Sequence, residues 1–122
     1  EAASEVVAKL LEAAKTLKEP RAEAEALAAA ANVQARTGKT AEATKLLADA
    51  EAAAKSVDRS ESKAYALLAV AMATSANGDA KKAMSLLKEA DKAADKVPEP
   101  ASQKKIVDKV RGAIDELAKK KS

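Results

Sequence analysis

Histidine, cysteine, tryptophan and phenylalanine do not occur in this 122-residue chain, and Tyr65 is its one aromatic residue. Without cysteine there is no disulfide framework and no thiolate site, and without histidine the commonest general base and zinc ligand is missing. Neither a metal nor any other cofactor is implied. No run of 18 apolar residues is present, and the N-terminus lacks the basic-then-apolar order of a signal peptide. The expectation is a single soluble domain, cytoplasmic if expressed in a cell, monomeric, and without affinity for membranes.

What is abundant is alanine, at 34 positions, with Leu, Val and Ile as the larger apolar residues. Alanine has the best helix propensity and loses no side-chain entropy on burial. Helix is therefore favoured nearly everywhere outside the three glycines and three prolines, and helices should approach closely. The net charge of +3 is unevenly placed: residues 1–96 hold 15 basic and 15 acidic side chains, and residues 97–122 hold 7 and 4.

The main organisation is a block written twice. Aligned on Gly38 and Gly78, the copies keep Leu27/Leu67, Ala31/Ala71, Ala43/Ala83, Leu46-Leu47/Leu86-Leu87, Ala50/Ala90 and Val57/Val97 in step at a period of 40 residues. Such a period is the signature of stacked helical pairs. The run Lys9–Ala14 repeats the pattern of Lys45–Ala50 and Ser85–Ala90, with leucine pairs spaced 36 and then 40 residues apart, a difference close to one helical turn. The first helix is thus the second member of an incomplete pair.

These signals predict an all-α fold of about six antiparallel helices in a short right-handed α-solenoid. Residues 3–18 form a half repeat, 20–57 and 60–97 two full repeats, and 100–120 a capping helix. The first helix presents Val6, Val7, Leu10, Leu11, Ala14 and Leu17 on one face. Pro20 and Pro100 suit first helical turns. Gly38 and Gly78 fit the left-handed position past a helix end, and Thr40, Ser60 and Asp79 can cap the helices that follow. In the last helix Ile106, Val110, Ala113, Ile114 and Leu117 make a narrow stripe backed by charge, as a solenoid's end requires.

On these residues the chain resembles the tetratricopeptide repeat (TPR) family. That unit has a small residue in its first helix, a glycine at the turn, and small, large and small positions in its second. Here they fall at Ala31, Gly38, Ala43, Leu47 and Ala50, and again at Ala71, Gly78, Ala83, Leu87 and Ala90. The period of 40 departs from that family's 34, and Leu27, Gln34, Leu67 and Thr74 stand at its large aromatic positions. The resemblance implies a concave groove lined by first helices that holds extended peptides. By position it would present Glu25, Ala28, Asn32 and Arg36, then Tyr65, Leu68, Met72 and Ser75, with Lys105 and Asp108 at its edge. The lysine and second asparagine with which carboxylate-gripping members hold a peptide C-terminus are replaced here by Ala28 and Met72.

Tyr65, Leu68 and Met72 share one helical face and form the most adaptable apolar surface in the chain; the plainer alternative is that they are core. Lys119, Lys120 and Lys121 are too few, and too far from any stacking aromatic, to suggest nucleic-acid binding, and lysines suit a helix C-terminus. Asn77 precedes a turn glycine, whereas Asn32 sits among alanines and needs a partner if buried. Gly112 inside a helix either permits a close contact or weakens the helix. Ser85 and Lys81 are four residues apart, but nothing there desolvates the lysine, and no nucleophile with a positioned base is visible. The expectation is a non-catalytic scaffold with the local consistency of designed or engineered sequences. The alternative is a natural peptide-binding module using Asn32, Arg36, Tyr65, Leu68 and Met72.

Overall fold

Every glycine and proline but one lies at a boundary between helices, the exception being Gly112. The computed structural model describes residues 2–16 and 18–121, without the side chains of Lys120 and Lys121. Leu17, assigned to the first apolar face, and the side chains of those two lysines lie outside the described residues. Among the described residues there are six α-helices and no strand. They are α1 (Ala2–Thr16), α2 (Pro20–Arg36), α3 (Thr40–Lys55), α4 (Ser60–Ala76), α5 (Ala80–Asp95) and α6 (Pro100–Lys121). Because α2, α4 and α6 start at residues 20, 60 and 100, the 40-residue period extends to the last helix.

The arrangement is solenoid-like. Helix α4 packs against α2, α3, α5 and α6; α2 also packs against α1 and α3, and α5 against α6. Helices α2, α4 and α6 thus form an inner row. Among the described residues the outer helices α1, α3 and α5 do not pack on one another.

The two hairpin turns are built alike. Gly38 and Gly78 adopt φ of 84° and 89°, a region closed to side chains with a Cβ except at a cost. Gly38 N–H donates to Ala35 O at 3.2 Å and Lys39 N–H to Gln34 O at 2.8 Å; Gly78 N–H donates to Ser75 O at 3.0 Å and Asp79 N–H to Thr74 O at 3.2 Å. These paired bonds are the Schellman arrangement that satisfies the last carbonyls of a helix.

The helix starts differ in how they are capped. The Asp79 carboxylate accepts from Lys82 N–H at 3.0 Å, as expected of a cap, and Glu99 does the same for Ser102 N–H at 3.1 Å before Pro100 opens α6. Thr40 and Ser60 do not cap. Each is already the first helical residue, behind Lys39 and Arg59, neither of which makes a side-chain cap bond. A side chain caps only from outside the helical dihedrals, where it can reach the amides two or three residues on.

Equivalent positions are buried equivalently. Ala24 and Ala64, Ala43 and Ala83, Ala50 and Ala90, and Ala54 and Ala94 are all completely enclosed, and so is the series Ala30, Val70, Val110 across the inner row. Methyl-sized side chains at these crossings let the helices approach closely. Leu67, Leu86, Leu87 and Ile106 fill the remaining space as the largest enclosed side chains, each contributing about 2 kcal/mol by its removal from water. Helix α1 turns its expected face inward only in part: Ala14 is buried, Val7, Leu10 and Leu11 are half-buried and Val6 is 45% exposed, because α2 is the one helix it packs against closely among the described residues.

Polar groups tie the outer row together where backbones do not meet. Glu51 on α3 contacts Lys55 at 2.7 Å and Lys82 of α5 at 3.0 Å, and Lys55 lies 3.9 Å from Glu89. Asn77 Nδ2 donates to Thr40 O and Thr44 Oγ1. Burial raises the pKa of the Glu51 carboxyl, but hydrogen bonds and charge from Lys55 and Lys82 outweigh it and hold the group below its ordinary value of 4.5. The Lys55 ammonium is held above 10.5 chiefly by its hydrogen bond to Glu51.

Gly38→Val should cost about 2 kcal/mol in urea unfolding and Gly38→Asn less than about 1, because asparagine tolerates the left-handed region better; equal costs would contradict the turn geometry. For Glu51, a folded pKa below the unfolded one means a stabilisation present above pH 4.5 and lost as pH falls through the folded value. The stability gap between the native chain and Glu51→Gln, no more than about 1 kcal/mol near neutrality because the lysines are half exposed, should therefore close on acidification. A gap that stays constant as the pH falls from neutrality through the carboxylate range would contradict the bridge.

Candidate functional site

The inner row changes character between α4 and α6. By the 40-residue register, Ala28, Asn32 and Ala35 on α2 stand where α4 has Leu68, Met72 and Ser75. Small side chains let α4 approach α2; the longer ones on α4 hold α6 further away. The result is an open cavity of about 350 Å³. Its floor is Ala71, Leu87 and Leu117, nearly enclosed, and its walls carry Leu68 and Met72 from α4 and Gly112 and Ala113 from α6. The polar side chains on it are Ser75, Lys109 and Glu116.

Met72 is the most unusual residue of this groove, being a large apolar side chain left 56% exposed. It is therefore not core. Leu68 and Tyr65 are half-buried, packed against the core from its edge. Gly112 decides the shape of the opposite wall. A Cβ at that position would meet nothing within 4 Å, so the glycine permits no close helix contact; it leaves space.

Tyr65 lies toward the N-terminal end of the same face. The Arg21 guanidinium sits 4.8 Å from its ring centroid and the Lys109 ammonium 5.6 Å, so the chain's one aromatic ring joins cations from α2 and α6. Both distances suit cation–π attraction, worth about 0.5–1 kcal/mol at exposed sites. Arg21 also meets Glu25 at 3.4 Å.

Of the five residues assigned to a peptide site, Leu68 and Met72 meet in the groove, and Tyr65 borders it through Lys109. Asn32 and Arg36 are not among its lining residues. The Asn32 side-chain oxygen is buried without a hydrogen-bond partner, and Arg36 lies at the last turn of α2. Lys105 and Asp108 do not line this cavity: Lys105 is one turn short of it and Asp108 pairs with Lys104 at 3.0 Å, while Lys109 and Glu116 line it. Ser75 lines it as the register predicts. Sequence reasoning does not find Lys109, Gly112 and Glu116 as a group, although successive spacings of three and four residues mark one helical stripe. The repeat register also sets Gly112 at the position that Met72 holds on α4.

Chemically the groove can bind by apolar contact and by one charge at each end. The pair Lys81 and Ser85 is exposed on α5, and neither residue lines the groove. Among the described residues no group of three or more acidic side chains is placed to hold a metal ion, and no helix is long and apolar enough to cross a membrane. No protein family, curated protein or solved structure matches the chain.

Gly112→Ala should raise stability by about 1 kcal/mol, since it gains helix propensity and meets no neighbour. Leu87→Ala, which empties the groove's floor, should cost about 2–5 kcal/mol. Chemical denaturation measures both, and a destabilising Gly112→Ala would show that the wall is closed at that point.

Proposed function

We propose that this chain is a non-catalytic, TPR-like helical-repeat scaffold of the regular kind found in designed or engineered repeat proteins. The observation that carries the reading is the agreement of levels: one period sets the starts of α2, α4 and α6, the Schellman glycines and the enclosed alanines, and the Glu51, Lys55 and Lys82 bridge lies on the outer row without breaking it. Functional sites usually impose such breaks. A charge-backed α6 supports the same reading, because Lys104 and Arg111 stand where α4 has Ala64 and Ala71 and so discourage stacking of a further repeat.

One observation favours a second reading, that the chain is an interaction module. Met72 is exposed within an apolar groove, and methionine is the side chain best able to adapt to varied partners. The groove offers few hydrogen-bonding groups, so a helical peptide, whose backbone is already satisfied, suits it better than an extended one.

Selection from a displayed library of helical peptides distinguishes the two. For a scaffold, no enriched peptide should depend on Met72. For the module, enriched peptides should lose binding on Met72→Asp while the melting temperature stays within about 2 °C, as expected for a substitution at an exposed site.

A further inference from the structure

We propose that the groove between α4 and α6 is a binding site for a small anionic amphiphile, a carboxylate of about eight carbons whose chain lies along the groove and whose head meets Lys109. Such a ligand requires neither a protein partner nor a peptide backbone, and so lies beyond both the scaffold and the peptide-module readings. The size of the cavity, about 350 Å³, falls in the range of small-molecule sites. The lined stretch from Leu68 to Ser75 is about 10 Å of helix, which matches an extended chain of that length. Leu68, Ala71, Met72, Leu87, Ala113 and Leu117 offer it methyl and methylene contacts and ask for no hydrogen bond.

Charge chooses the head group and its direction. Lys109 stands at the Tyr65 end of the groove, and among the described residues no carboxylate is paired with it; its ammonium faces the Tyr65 ring. Arg21 approaches the same ring from α2, so this end carries two cations against Glu25, which meets Arg21. Glu116 lies seven residues further along α6, about 10 Å away along its axis. A carboxylate at Lys109 gains a charge-assisted hydrogen bond and stays clear of Glu116, with its tail running towards Leu117. A cationic head would take the opposite direction, with its ammonium at Glu116. The excess of cations about Tyr65 favours the anion.

The protein carries its own reporters. Tyr65 is its one aromatic residue, and of the two methionines Met72 lines the groove while Met84 does not. Octanoate, octanol and octylamine should be titrated against the full chain at concentrations below micelle formation, following Tyr65 emission and the two methionine methyl resonances. Octanoate should move the Met72 methyl saturably, leave Met84 in place, and bind about tenfold tighter than octanol. Hexanoate should bind more weakly by about two- to fourfold per methylene lost. Lys109→Gln should abolish the preference for octanoate over octanol without weakening octanol, and Gly112→Leu, whose side chain would enter the open wall, should weaken both more than tenfold. The proposal is overturned if octanoate and octanol bind equally, if octylamine binds tighter, if Met84 moves with Met72, or if no saturable shift occurs. It is also overturned if vesicles of anionic phospholipid move Met72 and free octanoate does not, which would make the groove a lipid-surface contact.

Discussion

Close packing around α4 is the constraint on which the whole arrangement rests. That helix must meet α2, α3, α5 and α6 at once, which leaves only its groove side, at Met72, open over its middle turns. Its sequence from Ala64 to Ala73 answers with alanines at the tight crossings and Leu67 and Val70 between them. An α-helix surrounded by four others can be approached closely only where its side chains are short, and alanine meets that demand without loss of side-chain entropy. Larger residues at Ala64 or Ala66, both fully enclosed, would have to displace a neighbouring helix, since close-packed interiors absorb little added volume.

The same constraint explains where the packing stops. Helix α6 keeps the inner-row position set by the period and buries Ile106, Val110 and Leu117, but it faces longer side chains on α4 than α4 faces on α2. It stands off, and Gly112 removes the side chain that would have filled the gap. The groove is thus a consequence of α6 packing less closely on α4 than α2 does. Tyr65 bridges the inner row at one end of that gap through the cations of α2 and α6. At the other end Glu116 and Ser75 leave it open to water.

Much of the fold can be read from residue types and their spacing, because its causes are local. Gly38 and Gly78 announce positive φ, Pro20 and Pro100 announce first turns, and the repeated alanines announce burial. The caps are less legible. Whether Thr40 stands just outside or just inside a helix depends on a single residue's dihedrals, which composition does not fix. The groove is legible by half. Leu68 and Met72 form a stripe on one helix, so periodicity finds them; Lys109, Gly112 and Glu116 join them only through the distance between two helices. Nothing in a linear pattern states that distance. Positional analogy puts Asn32 on a binding face, whereas its side-chain oxygen is enclosed, because α2 lies nearer to α4 than α6 does.

The claim that α4 is the element on which the others depend is tested most directly by native-state hydrogen exchange, residue by residue. Amides in the middle of α4, around Val70 and Ala71, should exchange slowest and only through global unfolding, with protection falling outward to α2, α3 and α5, then to α6, and least in α1. If the α2–α3 and α4–α5 hairpins instead open independently, or if α4 exchanges faster than α3 and α5, the repeats are separate units and the account of a shared central helix is wrong.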